Sequence, residues 1–109
     1  MQVECTRQID ASELNELGFY EYYYEYDLYR FTDGSICFVA RSYADEPEEA
    51  HFLCIEEDGR RRILVNADLK HPLFVAAQAH LRTVGKTQVR WLGGKDGFES
   101  LPPHSILEA

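Results

Sequence analysis

Residues 19–31 read Phe19-Tyr20-Glu21-Tyr22-Tyr23-Tyr24-Glu25-Tyr26-Asp27-Leu28-Tyr29-Arg30-Phe31. Tyr20, Tyr22, Tyr24, Tyr26 and Leu28 share one parity, whereas Glu21, Tyr23, Glu25 and Asp27 share the other. Side chains on a strand alternate between its two faces, so this spacing predicts an extended segment with one aromatic and one acidic side. A helix would scatter the acids around its circumference. Beyond Leu28 the parity changes, with Tyr29 and Phe31 apolar and Arg30 and Thr32 polar. Such a slip predicts a bulge or bend near Asp27-Leu28. Four aligned aromatic rings are too much apolar surface for a monomer to expose, so the Tyr20–Tyr26 face is expected to lie in the core.

The flanking sequence extends this reading into a sheet. Thr32-Asp33-Gly34-Ser35 predicts a type I′ hairpin turn, because Asp-Gly readily adopts positive φ. The returning run, Ser35–Tyr43, is apolar on both parities through Val39, as a strand covered on both faces would be. Ala44–Glu49 is an acidic connection. His51–Ile55 predicts a third strand, Glu57-Asp58-Gly59 its turn, and Arg61–Val65 a fourth, giving an antiparallel meander.

Helical signals stand on either side. Asp10-Ala-Ser-Glu13 has the spacing of a capping box, with Leu14 and Leu17 on one face and Gly18 as a stop, which predicts a short N-terminal helix. Pro72 suits a first helical position. Phe74, Ala77, Leu81 and Val84 recur at helical spacing up to Gly85. Thr87–Leu92 predicts a last strand, with Val89 and Trp91 on one face. Gly93–Gly97 reads as a flexible turn, and residues 102–109 as a loosely ordered tail. The expected fold is one α+β domain over residues 1–109. It has an antiparallel sheet of four or five strands, one main C-terminal helix on one face, and the short N-terminal helix.

Composition narrows the function classes. The net charge of 109 residues is −8, unevenly spread. Residues 1–59 hold 15 acidic against 3 basic side chains, whereas residues 60–109 hold 4 against 8. A field of this sign repels phosphate backbones, so nucleic acid is not an expected partner. No apolar run approaches the ~18 residues of a membrane span, and the N-terminus lacks a basic segment followed by an apolar run. Membrane and secretory assignments are therefore not expected. Three cysteines, Cys5, Cys37 and Cys54, make an odd, sparse set that fits free thiols in a reducing cytoplasm better than a disulfide framework.

No signature of catalysis stands out. The four histidines, at 51, 71, 80 and 104, include no i, i+4 pair, and His51 and Cys54, three apart on a strand, are expected on opposite faces. No metal or cofactor is expected. Cys37 and Cys54 lie in apolar strands, where burial makes a thiol inert. The Gly93–Gly97 segment lacks the spacing and following helix of a phosphate cradle. Arg60-Arg61-Arg62 is expected to pair across strands with the acids at 56–58.

What remains is an interaction surface formed by Glu21, Tyr23, Glu25, Asp27 and Tyr29. Same-face carboxylates on a strand stand ~7 Å apart at ~3.4 Å rise per residue, which is loose for a metal. Beside aromatic rings they suit contact with another protein, or with a second copy. The leading expectation is a non-enzymatic interaction module of inhibitor or immunity type. The alternative is a small-molecule binder or enzyme with a pocket between helix and sheet, using Tyr29, His80 and the acids.

Overall fold

A computed structural model describes residues 1–93 and 97–101. Strands hold 54% of these residues and helical segments 17%, so the molecule is built mainly of sheet. Among the described residues seven strands form it: β1 (Gln2–Ala11), β2 (Tyr23–Asp33), β3 (Ile36–Tyr43), β4 (Glu49–Glu57), β5 (Arg60–Arg62), β6 (Gln88–Gly93) and β7 (Gly97–Ser100). One α-helix, α1 (Pro72–Thr83), follows a 3-10 turn at Asn66–Lys70.

The sheet is mixed rather than an antiparallel meander. Its order is β1-β2-β3-β4-β6-β7, with β5 also on β4. β3 takes one edge of β4, and the other edge is shared. β5 pairs antiparallel with Ile55–Glu57, and β6 pairs parallel with Glu49–Phe52. A parallel neighbour requires a crossover connection, and α1 supplies it. The meander expectation fails here because a three-residue β5 leaves half of that edge open for β6.

No N-terminal helix forms. β1 continues to Ala11 because Asp10 and Ala11 lie in register with Tyr24 and Tyr23 of β2. The polar residues expected to cap a helix tie down a loop instead. Ser12 Oγ accepts from the Glu21 amide at 2.8 Å, and Asn15 Oδ1 accepts from the Leu17 and Phe19 amides at 3.0 Å each. Side chains of this kind offer the backbone an alternative to helical bonding. Leu14 and Leu17 then have no core to face and are exposed.

Nor does β2 bulge at Asp27-Leu28. Its register runs unbroken against β1 from Tyr23 to Thr32 and against β3 from Tyr26 to Asp33. Tyr29 and Phe31 therefore share a face with Tyr23, Glu25 and Asp27. Tyr24, Tyr26 and Leu28 lie on the opposite face. The polarity slip marks a change of surroundings along a straight register: the C-terminal half of β2 lies under α1, whereas the N-terminal half runs beyond it. The bulge is on β4, where Val39 faces Cys54 but Ala40 faces Phe52, leaving Leu53 extra. It turns His51 and Cys54 to the same face, against the expectation of opposite ones.

The hairpin turn also differs in type. Gly34 takes φ +62° while Ser35 stays out of the positive region, so the loop is II′-like with glycine first. The I′ pattern belongs to the β4–β5 turn, where Asp58 and Gly59 both have positive φ.

The core lies between α1 and one sheet face. Leu73, Phe74, Ala77 and Leu81 are buried from the helix, against Phe31, Phe38, Phe52, Val89 and Trp91. Phe74 meets Phe52 at 4.6 Å and Phe38 at 5.4 Å between ring centroids. His71 caps α1, its Nδ1 accepting from the Leu73 amide at 3.0 Å. Val84 falls past the helix and is exposed. The expected tail at 102–109 and residues 94–96 of the expected turn lie outside the described residues. Phe74→Ala is expected to lose about 3–5 kcal/mol, as deletion of a buried ring does, in urea unfolding. Phe19→Ala, on the exposed loop, is expected to stay within about 0.5 kcal/mol of the parent.

Candidate functional site

The β1–β2 ribbon outruns the rest of the sheet. Tyr26 is the last β2 residue paired to β3, whereas β1 continues to pair as far as Tyr23. Residues 9–25 thus form a two-stranded arm with a loop at its tip, closed by an isolated bridge between Leu14 and Tyr20. The molecule measures 55 × 30 × 29 Å, and its radius of gyration is 15.3 Å. A compact chain of this length would have about 13 Å, so the arm stands out from the body.

The arm exposes most of its apolar surface. Ile9, Leu14, Leu17, Phe19 and Tyr20 are between 50% and 80% exposed, and Tyr22, Tyr23 and Tyr24 are close to half exposed. Its charges have one sign: Asp10, Glu13, Glu16, Glu21 and Glu25 accompany no lysine, arginine or histidine. Among the described residues, Asp10, Glu13, Glu16 and Glu21 have no ion pair. Charge density on the ribbon is offset only at its root. There Arg7 Nε donates to Asp27 Oδ1 at 2.7 Å, with Glu25 at 3.6 Å. Hydrogen bonding to Asp27 holds the Arg7 guanidinium above its ordinary pKa.

The five expected contact residues are therefore dispersed. Glu21 and Tyr23 lie on the exposed arm, and Glu25 and Asp27 at its root. Tyr29 is a core residue, 8% exposed and stacked on Phe31 at 6.0 Å. Burial pushes its phenol up to about 12, with the neighbouring Cys5 thiol and Asp27 adding to the effect. Of the aromatic parity expected in the core, Tyr20, Tyr22 and Tyr24 are exposed and Tyr26 is half-buried. Tyr22 stacks on Tyr24 at 6.2 Å, and Tyr24 and Tyr26 each meet Tyr43 at 5.8 Å. These rings lead onto the sheet face away from α1. A cleft of about 240 Å³ at the arm's root is lined by Tyr23, Tyr24, Glu25, Tyr43, Ala44 and Asp45.

The space between helix and sheet is occupied by rings. Phe31 packs against His80 at 5.7 Å and against Phe52 at 6.2 Å, alongside the Phe38–Phe52–Phe74 cluster. Larger surface clefts of about 610 and 500 Å³ adjoin the β2–β3 turn and the β1 edge, away from α1. Glu56 lies at the first of these and joins Arg30 and Arg61 in a cross-strand clamp. Cys37 and Cys54 are free and buried beside Val39, and burial pushes the Cys54 thiol up, which suits an unreactive packing role.

Among the described residues, no three of His, Cys, Asp and Glu are grouped to hold a metal ion, and no helix is long and apolar enough to cross a membrane. Comparison with known protein families, with curated proteins and with solved structures found no match.

Sequence reasoning missed the ends of the arm and the Arg62–Asp68 clamp, whereas the cross-strand pairing expected of the arginine run is present between Arg61 and Glu56. Arg62 grips Asp68 with two bonds of 2.8 and 2.9 Å, and Asp68 also accepts from the Val65 amide at 2.7 Å. Arg62 holds the Asp68 carboxyl below its usual range, and Arg61, then Arg30, do the same for Glu56. A depressed carboxyl pKa contributes stability that is complete above the unfolded value of about 4 and is lost as pH falls through the folded value. The melting temperature is accordingly expected to fall on acidification below about pH 4, and Asp68→Asn to flatten that fall when melting is followed by circular dichroism.

Proposed function

We propose that this chain is a non-enzymatic interaction module, of the inhibitor or immunity type, that docks its acidic, aromatic arm on a basic surface of another protein. The observation that carries the reading is the coincidence of exposed rings and one-signed charge on residues 9–25. Isolated exposed apolar side chains are ordinary, but a contiguous group on a protruding element marks a contact site. Tyrosines contribute large contact area at low conformational cost, and they are enriched at protein interfaces. Acids without local counter-charges steer encounter with a basic partner and repel other acidic surfaces, including a second arm. The three free thiols fit a reducing, cytoplasmic setting.

The arm is short of the basic neighbours that would let its rings stack nucleic acid bases. The filled helix–sheet interface favours this reading over a ligand pocket there. Tyr23 and Glu21 are the contact residues retained from the sequence reading, joined by Tyr22, Tyr24, Phe19 and Leu17.

A photo-cross-linking side chain placed at position 19 in the source cells tests the proposal. One basic protein is expected as the adduct, and Glu16→Lys with Glu21→Lys is expected to abolish it. The purified pair is expected to weaken by about tenfold or more between 50 and 300 mM salt, since the screening length of exposed charges shortens from ~14 Å to ~6 Å over that range. An adduct insensitive to both charge reversals and salt, or one formed between two copies of this chain, would overturn it.

A further inference from the structure

The sheet face opposite α1 carries a second feature, independent of the arm. Cross-strand register sets Arg41 of β3 beside His51 of β4, and His51 beside Arg90 of β6. The β4 bulge makes this row possible, because it turns His51 to the face that Arg41 occupies. Strands stand ~4.8 Å apart, so the three side chains start within about 10 Å of one another.

Aromatic rings flank the row. The Arg41 guanidinium lies 4.6 Å from the Tyr43 ring centroid and 5.9 Å from that of Tyr26. At the other side, Phe98 lies 4.8 Å from the His51 ring.

The row's hydrogen bonding is incomplete. His51 is 8% exposed, and its Nδ1 is buried with no partner. Arg41 Nε is likewise buried without an acceptor, and no carboxylate among the described residues pairs with Arg41. Arg90 meets Glu49 at 3.5 Å, a loose contact on a side chain 40% exposed. Buried polar atoms are ordinarily satisfied, so two orphans in one row call for an explanation. Charge gives the chemistry of the missing partner. Two guanidiniums face one carboxylate here, leaving a single positive charge over on a chain that is acidic as a whole.

We propose that the Arg41–His51–Arg90 row is a binding site for an aromatic carboxylate, its oxygens held by the two arginines beside His51 and its ring lying against Tyr43 or Phe98. A carboxylate carries the one negative charge required and matches the planar fork of a guanidinium. The ring is indicated because aromatic side chains flank the row on two sides, Tyr43 beside Arg41 and Phe98 beside His51. A dianion such as a phosphate monoester would leave charge uncompensated beside Glu49.

The test is a heteronuclear NMR titration of the intact chain with benzoate, acetate, benzamide and inorganic phosphate. Benzoate is expected to bind saturably with a dissociation constant of about 1 mM, in keeping with a ligand of its size. The affected signals should be the His51 ring and the Arg41 Nε–H. Acetate is expected to bind at least about tenfold more weakly for want of the ring, and benzamide, lacking the charge, not to saturate. Arg90→Gln, on an exposed side chain, and Arg41→Gln should each reduce benzoate affinity by about tenfold or more at an unchanged melting temperature. Arg41→Lys, which keeps the charge but loses the fork, should fall between. The proposal is overturned by an absence of saturable shifts. It is equally overturned by affinity unaltered in folded Arg41→Gln and Arg90→Gln chains, or by acetate, benzamide or phosphate binding as tightly as benzoate. None of these results bears on the arm, whose test reads a protein adduct.

Discussion

The structure depends on one constraint: β2 is longer than the layer that covers it. Its ladder to β1 spans the whole strand, its ladder to β3 begins only at Tyr26, and α1 reaches the core residues Tyr29 and Phe31. One strand is therefore core at its C-terminal end and a projecting ribbon at the other. The two-residue turn at Gly34-Ser35 fixes which residues of β3 meet which residues of β2, and so fixes which parity faces the helix. From that follow the burial of Phe31 and Phe38, the exposure of Tyr22–Tyr24, and the run of tyrosines that passes from the arm onto the open face.

A two-stranded hairpin alone is marginal in water. This one grows from a seven-stranded sheet, so the cost of nucleating it is met in the body. Along its length, stability comes from local terms: the Arg7–Asp27 pair, the rings of Tyr20 and Tyr23 5.2 Å apart, and the Ser12 and Asn15 side chains that hold the loop. Each is exposed and small. The arm accordingly belongs to the low-stability end of the molecule, where contact surfaces that adapt to partners are found, whereas the ring-packed core is its rigid base.

Much of the body was legible from periodicity. The alternation in residues 19–31, of which Tyr23 onward is strand, the apolar run after Gly34, the stripe of α1 and the pair Val89 and Trp91 each led to an element that forms. What was not legible depended on partners distant in sequence. Asp10-Ala-Ser-Glu13 reads as a helix cap in isolation, but β2 offers Asp10 a strand partner, and pairing wins. The polarity slip at Asp27-Leu28 has the same signature as a bulge, although it records where α1 stops covering the strand. The real bulge at Leu53 left no mark, because Phe52, Leu53 and Cys54 are all apolar. For that reason the row that His51 completes was hidden as well. Of the residues expected at a contact surface, Glu21 and Tyr23 lie exposed on the arm, as charge and parity suggested. Tyr29 was misplaced because it shares the parity of Glu21, Tyr23, Glu25 and Asp27, a parity that becomes buried at that end of β2.

Cross-strand Hα–Hα contacts in solution NMR measure the register of β2 directly. An unbroken series is predicted, recurring at every second pair of the ladder from Gln2 and Thr32 to Ala11 and Tyr23. A series that shifts by one residue at Asp27-Leu28, or that vanishes before Tyr24, would contradict the account, because the tyrosines would then turn inward or the arm would not exist.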